Sequence, residues 1–149
     1  MKQAFAGFAF AVVLALPMAA QAQFAKVEDA IDYRQSAFSV MAAHMGRVGA
    51  VVKGERPYDK AAVEADVAVI EMMSKLPWHA FVPGSEANSK AKPEVWQQPD
   101  KFRAAADKLQ AEVQKLSAAA RSGDQGQLRT AFGAVGQSCK ACHDNFRNR

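Results

Sequence analysis

The chain has 149 residues, of which 50% are hydrophobic and 23% are charged, and it contains two cysteines. A chain of this length is typical of one domain with a single hydrophobic core. The formal net charge is +4, but lysine and arginine are interspersed with acidic residues, and no basic run of the kind that binds nucleic acid is present. We therefore expect a compact globular domain without a nucleic-acid partner.

Residues 1–22 have the pattern of a secretory signal peptide. A lysine follows the first methionine, residues 4–16 are apolar, and the Ala-Gln-Ala sequence at 20–22 matches the small residues before a cleavage site. Pro17 ends the apolar stretch, which is shorter than the roughly 20 residues needed to cross a bilayer. We expect cleavage after residue 22, an exported mature domain over residues 23–149, and no membrane attachment afterwards.

Four segments of the mature chain carry an apolar residue at every third or fourth position. They cover about residues 27–52, 58–76, 99–122 and 124–146, and no segment shows the alternating pattern of a strand. A period of three to four residues is typical of helices with one buried face. Because each face must pack against a neighbour, the sequence predicts an all-α, up-down-up-down antiparallel four-helix bundle.

The connections between these helices differ in length. Short connections near Gly54 and Gly123 make the first and second helices, and the third and fourth, antiparallel neighbours. The second connection, about residues 78–98, is longer and contains Pro83, Gly84 and Pro93. Loops of this length inside a compact domain are usually functional, so we expect this one to cover a site.

Cys139, Cys142 and His143 form a C-x-x-C-H sequence near the C-terminus. On a helix, positions i, i+3 and i+4 share one face. The sequence is the attachment signature of c-type haem, in which two thiols form thioethers and the histidine ligates the iron. A thioredoxin-like disulfide pair would need βαβ surroundings and a zinc site four ligands. The favoured interpretation is therefore one haem c, attached through both cysteines.

The predicted topology indicates which residues surround the haem. The C-terminal part of the fourth helix lies beside the start of the first and third helices and the end of the second. The predicted pocket residues are Arg34, Gln35, Phe38, Trp78, Phe81, Phe102 and the alanines at 104–106. The alanines leave space for a porphyrin, and a guanidinium and an amide suit the two propionates. An arginine extending to solvent along an apolar face is the alternative for Arg34.

Residues 23–149 resemble the cytochrome c′ family. The resemblance rests on QFAK at 23, YRQSA at 33, VVKGERPYD at 51, LPWHAF at 76, KPEVW at 92 and AFGAVGQSCKACHDNFR at 131. It implies that His143 is the only protein ligand of the iron and that Arg34 and Gln35 lie near the propionates. It also implies that Arg147 lies on the proximal side of the haem. Family members are periplasmic, usually dimerise through their first two helices, and bind nitric oxide and carbon monoxide.

Phe38 stands where low-spin relatives of this fold place a methionine ligand, three residues after Gln35. Phenylalanine has no lone pair to donate, so the resemblance implies five-coordinate, high-spin iron. We expect a protein that transfers single electrons with an unknown periplasmic partner and binds nitric oxide and carbon monoxide, rather than an enzyme. A peroxidase would need a distal acid–base pair, and His44 lies nearly two turns beyond Phe38.

Two further expectations concern the first two helices. The alternative function is a low-spin electron carrier in which Met41 or Met45, further along the first helix, ligates the iron. Apolar character also extends beyond a single face of these helices, at Val40, Val51, Val52 and Val69. This extension fits the homodimer that the family resemblance implies.

Overall fold

The computed structural model describes residues 23–148, so the predicted signal peptide and its cleavage site lie outside the described residues. The α-helices are, in chain order, α1 Val27–Val52, α2 Lys60–Met73, α3 Glu94–Gln97, α4 Pro99–Ser122 and α5 Gln125–Phe146, and a 3-10 helix covers Pro77–Ala80. The long helices α1, α2, α4 and α5 form the bundle. Helix α2 packs against α1 and α4, and α5 packs against α4 and α1, which confirms the predicted four-helix bundle.

The second helix is shorter than predicted. It begins after Asp59, whose carboxylate accepts a hydrogen bond from the backbone N–H of Ala62 at 3.2 Å, as an N-cap residue does. After Met73 the backbone tightens, because Lys75 and Leu76 donate to carbonyls three residues back. The 3-10 helix then begins at Pro77. These short turns direct Trp78 and Phe81 across the end of the bundle rather than along α2.

The core is built from aliphatic side chains of all four long helices. Its buried members include Met41, Val48, Val63, Val67, Ile70, Leu109, Val113, Leu116, Leu128 and Val135. Complete burial of one such side chain contributes about 1.5 to 3 kcal/mol. Phe38, Trp78 and Cys139 pack against this core and are only partly buried. The core therefore supports the end of the bundle that carries the candidate site.

Two features fix α5 on the bundle. Gly123 ends α4 with a φ of +76°, a conformation that glycine adopts without strain. The carboxylate of Asp124 accepts hydrogen bonds from the backbone N–H groups of Gly126 and Gln127 at 2.8 and 2.9 Å. These bonds cap the start of α5. Within the part of the chain that the structure describes, no helix is both long and apolar enough to span a membrane.

Candidate functional site

Cys139 and Cys142 lie one turn apart near the end of α5 as free, half-buried thiols. Burial raises the pKa of Cys139, and it raises the pKa of Cys142 to about 11, with a smaller contribution from Cys139. Both sulfurs are therefore protonated at neutral pH. Cys139 packs against the aliphatic core, so the first thiol is held at the edge of the bundle interior.

His143 follows the second cysteine and is exposed at the surface of α5. Partial burial lowers the pKa of its imidazole, the positive charge of Arg147 lowers it further, and Asp144 raises it. The net shift favours the neutral ring, which is the form that donates a lone pair to a metal. His143 thus has the protonation state that an axial ligand needs.

Aromatic side chains from three elements meet at this end of the bundle. Phe38 of α1 lies edge-on to Trp78, with 5.7 Å between ring centroids, and 6.5 Å from Phe81. Phe102 of α4 lies 4.7 Å from Phe81 and 5.7 Å from Trp78. The structure therefore brings together four residues that the sequence places in the pocket. We call Phe38, Trp78, Phe81 and Phe102 the aromatic cluster.

The cluster adjoins a cleft of about 430 Å³. Trp78, Phe81 and Phe102 line its apolar side together with Trp96, and Ala106 contributes a small side chain. Of the three predicted alanines, Ala106 is buried, whereas Ala104 is exposed. A second aromatic pair connects the cleft to α5, because Phe146 lies 5.3 Å from Phe102. The cleft and the C-x-x-C-H sequence are therefore at the same end of the bundle.

Arg34 is buried, with 3% of its surface exposed, and does not extend to solvent. Its guanidinium donates to the carbonyl of Ala80 at 2.9 Å and to the hydroxyl and carbonyl oxygens of Ser85, both at 2.6 Å. It also lies 4.5 Å above the ring of Phe81. Burial lowers the pKa of Arg34, and Glu86 opposes that shift. These bonds use three of the five guanidinium donors, and two donors remain. A contact between Arg34 and a propionate therefore stays a prediction.

The other two predicted polar residues are at the surface. Gln35 is exposed on α1, and Arg147 is exposed just after α5. The backbone N–H of Arg147 donates to the carbonyl of His143 at 3.1 Å, and Arg147 forms an isolated antiparallel bridge with Ala91. Arg147 is therefore one helical turn beyond the predicted iron ligand, and its place on the proximal side of a haem stays a prediction.

The sequence indicated that the 78–98 connection covers a site, but it did not indicate the contacts of residues 85–92, which we call the strap. The strap runs from Ser85 to Lys92 and pairs with the end of α5: Lys92 N–H donates to the carbonyl of Phe146 at 3.0 Å, and Asn148 N–H donates to that of Lys90 at 2.8 Å. Trp96 was also missed, although its indole N–H donates to the carbonyl of Phe81 at 3.1 Å. The strap is a loop and α3, which carries Trp96, has only four residues, so neither shows a helical period that would indicate its contacts.

The residues present fit a covalently bound haem c. Two thiols separated by one helical turn, with a neutral imidazole beside the second, are the groups required for two thioethers and one axial ligand. The cleft at the same end of the bundle has an aromatic wall of Trp78, Phe81, Trp96 and Phe102, which suits a porphyrin face, and a polar rim of Arg103, Asp107 and Gln110. The arrangement can therefore hold haem at the end of α5.

Comparison with known proteins agrees with this fit. A family model described as Cytochrome C′ matches residues 29–147. Cytochrome c′ from Alcaligenes xylosoxydans xylosoxydans is 52% identical over 127 residues, which are 85% of this chain and 99% of that protein.

Solved structures share the fold as well. The crystal structure of cytochrome c′ from Rubrivivax gelatinosus aligns with a TM-score of 0.82 and 46% identity, covering 85% of this chain and 100% of that one. A nitric oxide complex of a mutant of cytochrome c prime from Alcaligenes xylosoxidans has a TM-score of 0.82 and 51% identity, covering 85% and 99%. A carbon monoxide-bound variant of that protein has a TM-score of 0.81 and 51% identity, covering 85% and 100%. The family match, these similarities and the C-x-x-C-H sequence at the end of α5 show that this chain belongs to the cytochrome c′ family.

Proposed function

We propose that this chain is a periplasmic protein with one haem c, whose iron is five-coordinate and high-spin, and that it transfers single electrons and binds nitric oxide and carbon monoxide. The observation that carries the proposal is the presence of Phe38, which has no donor atom, in the aromatic cluster beside the end of α5. The solved complexes of the Alcaligenes protein with nitric oxide and carbon monoxide support the choice of ligands.

The residues of α5 would hold the haem. Cys139 and Cys142 would form the two thioethers, and His143 would be the axial ligand on the proximal side. Haem c supplies an iron that changes its oxidation state by one electron and accepts small uncharged ligands. Attachment at two sulfurs keeps the group on the protein in both oxidation states.

The aromatic cluster would determine which small molecules reach the haem. Its four side chains carry no charged group, and the guanidinium of Arg34 above Phe81 directs hydrogen bonds to Ala80 and Ser85, so the cluster favours small uncharged molecules. Phe38 occupies volume there, because Trp78 and Phe81 hold its ring edge-on. A ligand must therefore displace or compress the Phe38 ring.

The alternative, a low-spin electron carrier with a methionine ligand, finds less support. Met41 is buried in the aliphatic core, and Met45 packs against the same core. Either thioether would have to leave this packing to reach an iron held at the end of α5. His44, the histidine of α1, is bonded to Asp66 of α2 at 2.6 Å and is not part of the aromatic cluster, which favours a gas-binding protein over a peroxidase.

We also propose a homodimer formed through α1 and α2. These helices are joined by a hydrogen bond of 2.6 Å between His44 Nδ1 and Asp66 Oδ1. Val51 and Val52 pack against the core, so they offer less free apolar surface than the sequence suggested. Val40 is 40% exposed and Met72 is 61% exposed. These side chains supply apolar surface for a second copy.

The attachment of haem is tested by extraction and optical spectroscopy. In acid acetone and in denaturing electrophoresis, the pigment should stay with the wild-type polypeptide, because thioether bonds survive both. The double variant Cys139→Ala with Cys142→Ala should lose it, and the single variants should keep one thioether. Spectra of the ferric and ferrous protein should be those of high-spin iron. Pigment extracted from the wild type would end the c-type proposal, and a low-spin spectrum would favour the methionine alternative.

A further inference from the structure

The strap is fixed to α1 at its first residue. Ser85 is fully buried, and both its hydroxyl and its carbonyl oxygen accept hydrogen bonds of 2.6 Å from the guanidinium of Arg34. The same guanidinium donates to the carbonyl of Ala80 at 2.9 Å. A buried carbonyl without a donor is costly, so loss of Arg34 would release this part of the chain. Arg34 thus joins α1 to the start of the strap.

The far end of the strap closes the C-terminus of α5. Lys92 donates twice: its N–H to the carbonyl of Phe146 at 3.0 Å and its Nζ to the carbonyl of Asp144 at 2.8 Å. The N–H of Asn148 in turn donates to the carbonyl of Lys90 at 2.8 Å. The last carbonyls of a helix have no partner within it, and a positive charge near them is favourable. The strap therefore supplies a cap for α5.

The capped turn is the one that carries His143. The carbonyl acceptors of the cap, at Asp144 and Phe146, follow His143 by one and three residues. We propose that Arg34 and Lys92 are positioning residues, which act through the strap to hold the last turn of α5 and with it the direction of the His143 imidazole. This inference rests on the proposed attachment of haem at α5, and it assigns to Arg34 a role besides any contact with a propionate.

Rigid packing at the start of the strap makes such transmission physically reasonable. The Arg34 guanidinium lies 4.5 Å above the Phe81 ring and 6.0 Å from that of Trp96. Within the strap, Ser89 Oγ donates to the carbonyls of Ser85 and Glu86 and accepts from the N–H of Ala91. The strap is therefore a hydrogen-bonded turn, and a displacement of Ser85 at one end can shift Lys92 at the other.

The first experiment compares Lys92→Met with Lys90→Met in the haem-loaded protein. Lys90 belongs to the same strap and its side chain is exposed, so it is the matched control. Lys92→Met removes the bond from Nζ to the carbonyl of Asp144. If that bond holds the strap on α5, its loss should raise amide hydrogen exchange at Asn148, whose N–H donates to Lys90 of the strap, about three- to tenfold. It should also shift or broaden the iron–histidine stretching band in the resonance Raman spectrum. Lys92→Arg should restore both readouts, and Lys90→Met should change neither.

The second experiment asks whether Arg34 acts at a distance. Arg34→Met should change the same Raman band and also raise exchange at Asn148, although Arg34 bonds only the other end of the strap. Ser85→Ala removes one bond from Arg34 and the hydroxyl's own bond to the carbonyl of Val82 but leaves the Ser85 carbonyl bonded to Arg34. It should have a smaller effect of the same kind, which keeps the test usable if Arg34→Met does not fold. An unchanged band and unchanged exchange at Asn148 in Arg34→Met, or in Ser85→Ala if only that variant folds, would overturn transmission through the strap.

Haem retention separates this inference from the proposed function. If the wild type keeps its pigment while the Lys92 and Arg34 variants behave as the wild type does, only the role of the strap is refuted. If the wild type holds no covalent haem, the proposed function fails, and with it the role given to the direction of His143. Exchange at Asn148 would then still show whether Lys92 caps α5.

Discussion

Phe38 determines the predicted affinity for distal ligands. Its ring lies edge-on to Trp78 and Phe81, 5.7 and 6.5 Å between centroids, and aromatic pairs of this kind contribute about 0.5 to 1.5 kcal/mol each. A ligand that displaces the ring must overcome these contacts. The extra cost of crowding a packed interior is typically about 1 to 3 kcal/mol.

We therefore predict that Phe38→Ala binds carbon monoxide about tenfold more tightly or better, since each 1.4 kcal/mol is about tenfold in affinity. Equilibrium titration of the ferrous protein measures this. Phe132→Ala is the control, because it removes a phenyl ring that packs against Gly49 rather than in the aromatic cluster. Phe38→Met should offer a thioether and move the iron toward low spin. Equal affinities in wild type and Phe38→Ala would show that the ring does not obstruct the site.

At the scale of single residues, the sequence indicated which residues belong to the site better than it indicated what those residues contact. Cys139, Cys142 and His143 could be recognised because their spacing is local. Arg34 could be singled out because it interrupts an apolar face, but its bonds to Ala80 and Ser85 span 46 and 51 positions. No local pattern contains such a pairing, so only the folded chain shows which oxygens the guanidinium reaches.

At the scale of elements, the start of α5 depends on a single carboxylate. Hydrogen bonds from the backbone N–H groups of Gln127 and Gly126 lower the pKa of Asp124 below its ordinary value of 3.8. A carboxyl whose pKa is lower in the folded state stabilises that state above its unfolded pKa. This contribution disappears as the pH falls through the folded pKa.

We predict that Asp124→Ala lowers the unfolding midpoint of the haem-loaded protein at pH 7, and that the difference from wild type shrinks as the pH falls below about 4. Asp124→Asn keeps a side-chain oxygen at the cap but does not titrate, so its difference from wild type should arise only from the charge. Denaturant unfolding across this pH range measures both variants. A constant difference between Asp124→Ala and wild type down to pH 2 would contradict the assigned cap.

The long helices were easier to predict than the elements between them. The bounds of α1 agree with the apolar period, and α4 and α5 end or begin where Gly123 and Asp124 indicate. The 3-10 helix Pro77–Ala80 and α3 were not predicted, because segments of about four residues contain too little repetition to show a period. Their positions follow from tertiary bonds, such as the one from Trp96 Nε1 to the carbonyl of Phe81 at 3.1 Å.

At the scale of the whole molecule, the geometry of α1 and α2 indicates where a second copy would bind. The His44–Asp66 hydrogen bond sets the two helices in register. Val40 lies one turn before His44, and Val69 about one turn after Asp66. Because the helices are antiparallel, going back from His44 to Val40 on α1 and going forward from Asp66 to Val69 on α2 lead in the same direction along the bundle. Val40 and Val69 therefore lie at a similar height on neighbouring helices.

We predict that sedimentation over a tenfold or greater concentration range shows a dimer, and that Val40→Glu weakens it about tenfold or more. A two-fold interface contains each substitution twice, so a loss of about 0.7 kcal/mol per site gives that factor. Val27→Glu is the control, since Val27 is 36% exposed but lies at the first turn of α1. A monomeric wild type would refute the dimer and leave the haem proposal intact.

The place of α5 in the core has a consequence for folding. Leu128 and Val135 of α5 belong to the aliphatic core that α1, α2 and α4 also line, so these three helices lack one wall until α5 joins them. In that interval the chain exposes apolar side chains that attract chaperones. Truncation before Gln125 would make this exposure permanent.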